Sequence, residues 1–293
     1  MRPPLSYYGG KQLLAKKIVS LIPEHKIYCE PFCGGAAVLF AKEPSQIEVI
    51  NDTNAELINF YHVVKEDFPA LQKEIMKTLH SRETHRHARV IYENPDMFDT
   101  VKRAWAVWVQ ANMSFGNRLN SGFAYARKNE STTKKIINKI DEFTDKISNR
   151  IRMLQIENCD ALRVITSRDS SGTFHYIAPP YVGADQGHYD GYTQQDFDNL
   201  LGMLQNIQGK FLLSSFRNKK LSEYTKNNKW YQIELKMASS LSGKGKAKRM
   251  TKIEVLTANY PISLDKGQEA KKEDSSIGQS ELIFEKELSE ERA

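Results

Sequence analysis

Apolar positions recur at helical spacing between Gly9-Gly10 and Pro23, where Leu13, Leu14, Ile18, Leu21 and Ile22 mark one face of a short amphipathic helix. The period then shortens. Lys26-Ile27-Tyr28-Cys29-Glu30 predicts a strand, Pro31 to Gly35 a turn, and residues 36–41 a helix. Ile47-Glu48-Val49-Ile50 predicts a second strand that ends in Asn51-Asp52-Thr53-Asn54, with Thr53 or Asn54 placed to cap the next helix. Together these form a βαβ unit of the kind that holds nucleotides. From about residue 54 to 152 the pattern turns to long helices rich in Lys, Arg and His, broken once at 113–123. Strand patterns resume at 153–157, 173–177, 210–215, 230–235 and 252–257. The expected fold is therefore α/β, with one domain split over residues 1–54 and 153–264, a helical insert at 55–152, and a charged tail over 265–293. No internal repeat of solenoid length interrupts this pattern.

Composition narrows the class. At 293 residues and 40% hydrophobic the chain has material for a large core without staples. Three unclustered cysteines, Cys29, Cys33 and Cys159, fit a reduced compartment better than a disulfide framework, and Cys29 and Cys33 read as small core residues. No apolar run approaches a membrane span and Met1-Arg2-Pro3-Pro4 opens no signal-peptide core, so a cytoplasmic protein without a membrane partner is expected. The net charge of +6 conceals an asymmetry: residues 265–293 hold nine acidic and five basic side chains, which leaves +10 on the rest. A polyanionic partner or a generally basic surface would both account for it. Lys244, Lys246, Lys248 and Arg249, with Lys252, stud a Gly- and Ser-containing stretch between two strand patterns, as a loop facing an anion or water would.

The candidate chemistry sits at strand ends. Glu30-Pro31-Phe32-Cys33-Gly34-Gly35 is a turn whose paired glycines admit close approach of backbone to a ligand, though an ordinary turn explains them as well. Asp52 lies 18 residues after Gly34, where an acidic side chain can accept both hydroxyls of a ribose. The turn lacks the G-x-G-x-x-G spacing a pyrophosphate needs, so a cofactor with a ribose and no phosphate fits better, and S-adenosylmethionine is the common one. Tyr176-Ile177-Ala178-Pro179-Pro180-Tyr181 ends a strand in two prolines that remove two N–H donors, followed by an aromatic ring that a base could stack on; a plain Pro-Pro loop is the bland alternative.

In order and spacing, Tyr7-Tyr8-Gly9-Gly10-Lys11, Glu30-Pro31-Phe32-Cys33-Gly34-Gly35, Asn51-Asp52-Thr53-Asn54 and Pro179-Pro180-Tyr181 resemble the DNA adenine methyltransferase (Dam) family, as does Glu254-Val255-Leu256-Thr257-Ala258-Asn259-Tyr260. The likeness spans about residues 5–260. It implies an S-adenosylmethionine-dependent methyltransferase fold, Rossmann-like with a mixed sheet, and an inserted helical target-recognition domain. It also implies double-stranded DNA as partner, S-adenosylhomocysteine as product, and a cofactor site made by Tyr7, Gly9, Gly10, Lys11, Glu30, Phe32, Gly34, Asp52 and Asp160. For Asp160, helix capping is the competing reading. A monomer is compatible with the sequence, which does not set the oligomeric state.

Within this resemblance, adenine's amine is a poor nucleophile until two acceptors engage its N–H groups and free the lone pair. The family supplies one from an Asp or Asn before Pro-Pro-Tyr and the other from the first proline's carbonyl, here Pro179; Pro180 and Tyr181 complete the frame, with the extruded base stacked on Tyr181. Ala178 stands where the side-chain acceptor belongs. A chain that binds but transfers poorly or not at all is expected, and an introduced substitution explains the undisturbed frame better than decay. Phe115, Arg118, Asn120 and Phe123 fall in the break of the helical insert, where the family places its target-reading loop; a packed loop with a surface arginine is the alternative. Ser6 replaces a lysine that contacts bases in GATC-reading members, so the target is left open. Two competing functions stand beside it: a DNA-binding protein with S-adenosylmethionine as a structural ligand, and an NAD-dependent oxidoreductase resting only on the βαβ unit and Asp52. His80, His85 and His87 lack partners with metal-ligand spacing, and Ser214 and Ser215 lack an organised His and Asp.

Overall fold

In the computed structural model, which describes residues 1–127, 129–183, 191–238 and 251–264, the strands are Ile27–Glu30 (β1), Ile47–Asn51 (β2), Gln155–Glu157 (β3), Thr173–Ile177 (β4), Lys210–Ser215 (β5), Tyr231–Ala238 (β6) and Thr251–Ala258 (β7). They join in one sheet of order β3-β2-β1-β4-β5-β7-β6. The first five in that order run parallel, and β7 enters antiparallel between β5 and β6. This is the doubly wound order with one strand slipped in near an edge. Every residue of β4 is buried, as a parallel strand covered on both faces should be. The chain runs outward through β1, β2 and β3, then crosses back to β4, so β1 and β4 flank the point where winding reverses. Ligands of such sheets lie there, beyond the carboxyl ends of the strands.

The helices are Ala15–Val19 (α1), Ala37–Ala41 (α2), Ala55–Glu66 (α3), Phe68–Met76 (α4), Arg82–Glu93 (α5), Thr100–Met113 (α6), Ser131–Asp141 (α7), Asp145–Ile151 (α8), Ala161–Arg168 (α9), Gln194–Leu204 (α10) and Lys219–Asn227 (α11). The first is shorter than its periodicity predicts. Leu14 N–H closes a turn on Lys11 O at 3.0 Å, the helix starts only at Ala15, and Leu13 is left 91% exposed. Asn54, one of the two expected caps, accepts from Glu56 N and Leu57 N at the head of α3.

Helices α3 to α8 occupy the insert. Their centre is α6, buried without interruption from Ala106 to Met113. One apolar cluster runs from Leu5, Tyr28 and Phe40 beside the sheet to Trp108, Phe143 and Ile151 among these helices. A buried polar clasp reinforces the seam: Arg150 on α8 is bidentate to Glu48 at the start of β2 and donates to Leu39 O at 2.7 Å, while Lys42 donates to the same carboxylate at 2.6 Å. Burial opposes ionisation of Glu48, yet these hydrogen bonds hold its carboxyl below the ordinary range. Among the described residues no helix is long and apolar enough to cross a membrane.

Candidate active site

At the winding reversal, β1 ends in Glu30 and β4 ends in Ile177, and the register Cys29 to His175 carries Glu30 alongside Tyr176. Beyond them opens a pocket enclosing about 360 Å³, mouth included. Seven of the residues expected to hold the cofactor border it: Tyr7, Gly9, Gly10, Lys11, Glu30, Phe32 and Gly34. Ala178 stands on the same wall, with Tyr8 and Tyr176. Two strand ends far apart in the chain, at Glu30 and Ile177, thus share one cavity because the sheet topology sets β1 beside β4.

Local geometry explains the glycines. Gly10 N–H bonds Tyr7 O at 3.0 Å, closing a turn whose third residue, Gly9, has φ +70°, a conformation that a side chain would strain. A Cβ on Gly35 would lie 2.8 Å from Tyr7 Cβ, so this glycine seats the tyrosine loop rather than a ligand. Gly34 N–H donates to Asp52 Oδ2 at 3.0 Å, and Tyr61 donates to Gly34 O at 2.8 Å. Ala36 closes the turn at φ +49°, strained backbone on the pocket wall.

The two remaining expected residues stand outside this wall. Asp52 is buried, which raises its carboxyl against the hydrogen bonds it receives, and its two oxygens accept from Gly34 N and Asn54 N. It braces the turn. Asp160 is exposed and caps α9 through Oδ1, which accepts from Leu162 N and Arg163 N. The cap that the sequence offered as an alternative is thus present.

The acidic group in the pocket is Glu30. Only 2% exposed, it accepts from Tyr28 Oη at 2.8 Å, and burial pushes its carboxyl up to about 8 despite that bond. A buried carboxylate with so much to gain from a cation fits the ammonium of an amino-acid cofactor. Opposite it, Lys11 donates to Gly9 O at 2.7 Å and pairs with Glu254 on β7 at 3.7 Å, with burial lowering the ammonium against that pairing. Tyr181 is half-buried; its hydroxyl bonds Ser214 Oγ at 3.1 Å and donates to Glu254, its ring meets Phe216 edge-on at 4.6 Å, and Lys11 lies 4.8 Å from its centroid. Sequence reasoning gave Glu254 and Ser214 no role. Their signal was present: Glu254 is a charge inside the apolar run Ile253-Glu254-Val255-Leu256, and it is 1% exposed.

The break in the insert is a bent hairpin. Phe115 N–H bonds Gly122 O at 2.7 Å, Ser114 bridges Phe123, and Gly116, Asn117 and Asn120 all take positive φ. Arg118 stacks 4.3 Å over the Tyr8 ring and donates to its hydroxyl at 3.1 Å, which ties the hairpin to the pocket loop. Asn120 is exposed; Phe123 packs against His80 at 4.8 Å and His85 at 5.7 Å. Those histidines brace the hairpin, His80 through Ala124 O and His85 through Ser114 Oγ. Ser6 is buried, its N–H held by Asn112 Oδ1 at 3.0 Å. Lys244, Lys246, Lys248 and Arg249 lie outside the described residues.

A doubly wound sheet with an antiparallel insertion, and a pocket at its reversal point lined by a glycine turn, an acid and the end of β4 at Tyr176 and Ala178, is an α/β architecture that suits a methyltransferase. The family of D12 class N6 adenine-specific DNA methyltransferases matches residues 7–246, and the chain belongs to it. Among relatives, type II methyltransferase M1.LlaDCHI of Lactococcus lactis subsp. cremoris is 26% identical over 89% of this chain and 96% of its own length. Type II methyltransferase M.MjaIII of Methanocaldococcus jannaschii is 26% identical over 68% and 76%. The DNA N-6-adenine-methyltransferase of Escherichia phage P1 is 32% identical over 36% of this chain and 14% of its own. The protein is accordingly an adenine-specific DNA methyltransferase, of a class that takes its methyl group from S-adenosylmethionine.

Proposed function

We propose that the pocket between the glycine turn and Ala178 receives S-adenosylmethionine and that the chain acts on an adenine extruded from duplex DNA. The carrying observation is the position of Ala178 on the wall of that pocket, at the carboxyl end of β4 and next to the loop that holds Lys11. Tyr7, Gly9, Gly10, Lys11, Phe32 and Gly34 would enclose the cofactor, and Glu30 would face its ammonium. When bound, the cofactor supplies an electrophilic sulfonium methyl. Pro179 would accept one N–H of the target amine, and Tyr181 would receive the base by stacking. Asp52 and Asp160 act in this reading as braces of the turn and of α9, with Asp160 Oδ2 open to a ligand. Residues 55–152 would read the target through the hairpin at 114–123, with the basic segment 244–249 toward phosphate; 1–54 and 153–264 would hold the chemistry. The type II names of two relatives support a restriction–modification setting.

As written the chain is deficient. Ala178 offers no side-chain acceptor for the second N–H of the amine, and a charge-assisted hydrogen bond of about 1.5–3 kcal/mol corresponds to roughly 10- to 150-fold in rate. Single-turnover transfer of tritiated methyl to plasmid DNA should be faster by at least that factor for Ala178→Asp than for the parent, and sequencing the product DNA would give the target site. Equal rates in the two forms would remove Ala178 from the mechanism; binding of DNA and cofactor without transfer in either would favour a purely structural ligand.

A further inference from the structure

A carboxylate in the middle of a buried strand costs free energy unless something uses it. Glu254 is such a group. Around one of its oxygens, Oε1, three elements meet: the Tyr181 hydroxyl from the turn after β4, the Ser214 hydroxyl from β5, and the Lys11 ammonium from the pocket loop at 3.7 Å. The hydroxyls of Tyr181 and Ser214 also touch each other at 3.1 Å, and Lys11 sits over the Tyr181 ring. β7 reaches this point because it runs antiparallel beside β5, with Ser215 opposite Val255, which sets Glu254 at the carboxyl edge of the parallel strands. A phenol held at its hydroxyl by a carboxylate and a serine, and along its ring by an ammonium and Phe216, cannot turn freely about its χ angles.

We propose that Glu254 is a positioning residue of the methyl-transfer reaction: it locks the plane of Tyr181, through the phenol hydroxyl and with Ser214 as second anchor, so that an extruded adenine stacks at a fixed angle to the cofactor pocket. The inference rests on the reading that Tyr181 receives the base. Glu254 touches neither cofactor nor base in this scheme; it acts through Tyr181, and its pairing with Lys11 keeps that ammonium over the same ring.

Full-length Ala178→Asp is the background for the test, with single-turnover transfer of tritiated methyl to plasmid DNA at saturating cofactor, and calorimetric S-adenosylhomocysteine affinity as the second readout. Glu254→Ala should slow transfer by roughly 10- to 100-fold, the scale of a hydrogen bond to a charged group. Glu254→Gln, whose amide oxygen still accepts from both hydroxyls, should recover most of the rate, and Ser214→Ala should lose less than Glu254→Ala. Tyr181→Phe removes the hydroxyl but keeps the ring, so Glu254→Ala combined with Tyr181→Phe should be no slower than the slower single variant. S-adenosylhomocysteine affinity should move less than about threefold, as expected of a group outside the cofactor's contacts. Full rate in Glu254→Ala, losses that multiply in the double variant, or a rate loss matched by lost cofactor affinity would each overturn the proposal. If Glu254→Ala does not fold by its thermal transition, Glu254→Gln and Ser214→Ala carry the same comparison. A background form that transfers no methyl at all would overturn the functional reading itself, before Glu254 is altered.

Discussion

In the proposed reading, Glu30 makes cofactor binding depend on pH. Burial lifts its carboxyl from 4.5 to about 8, so near neutrality the free protein holds it largely protonated. An ammonium brought against it favours the ionised form, and binding below pH 8 must therefore expel a proton. Calorimetry of S-adenosylhomocysteine at pH 7 in two buffers of different ionisation enthalpy should show release approaching one proton per site, with affinity rising toward pH 8. Glu30→Gln should abolish the release; finding none in the parent would place the ammonium elsewhere. The same shift has a consequence for folding. The native state binds the proton more tightly than the unfolded chain, so the contribution is full below pH 4.5 and is lost as pH climbs through about 8.

Among the elements, the glycine turn and the loop it seats show what the sequence made legible and what it concealed. β4 and β5 fall where the alternation and β-branched runs put them, and the segments around Tyr7, Glu30 and Ala178 do converge on one pocket. Strand ends of a doubly wound sheet are predictable places, which is why these motifs could be assigned together. Asp52 was harder: its spacing from Gly34 suits a ribose, but spacing cannot reveal that its oxygens also accept from Gly34 N and Asn54 N. Glu254 was harder still, because a strand pattern gives burial without neighbours, and its partners come from residues 11, 181 and 214. The purpose of Gly35 was likewise invisible, since it depends on a tyrosine 28 positions away. Gly35→Ala would drive a methyl into Tyr7 Cβ, an overpacking of about 1–3 kcal/mol that the loop can relieve only by leaving the pocket. S-adenosylhomocysteine affinity should fall by roughly 5- to 150-fold on that scale, with a smaller change in thermal stability. Unchanged affinity would mean that the loop's seat and the ligand are independent.

For the whole molecule, the question is what keeps the helical insert in register with the sheet, since in the proposed reading a hairpin on one and a pocket on the other face the same DNA. Apolar packing runs through both, but packing is non-directional, and the polar clasp at Glu48 is what fixes orientation. Arg150 brings a bidentate bond from α8, and both side chains are under a tenth exposed, so solvent does little to screen the pair. Removing one partner of a buried pair leaves the other's charge uncompensated, at a cost of about 3–5 kcal/mol. Lys42 still holds Glu48 in Arg150→Ala, so the denaturant midpoint at pH 7 should fall by the equivalent of part of that cost, still more than loss of the exposed pair between Arg217 and Glu234 would lower it. The pH dependence supplies the check on mechanism. Glu48 titrates below its ordinary value when folded, so the clasp's contribution is present above the unfolded carboxyl's range and is lost as pH falls through the lower folded value. The stability difference between parent and Arg150→Ala should accordingly narrow toward acid pH and stay level above pH 6; a difference that ignored pH would make Arg150 a packing residue and leave the alignment of insert and sheet to the apolar core.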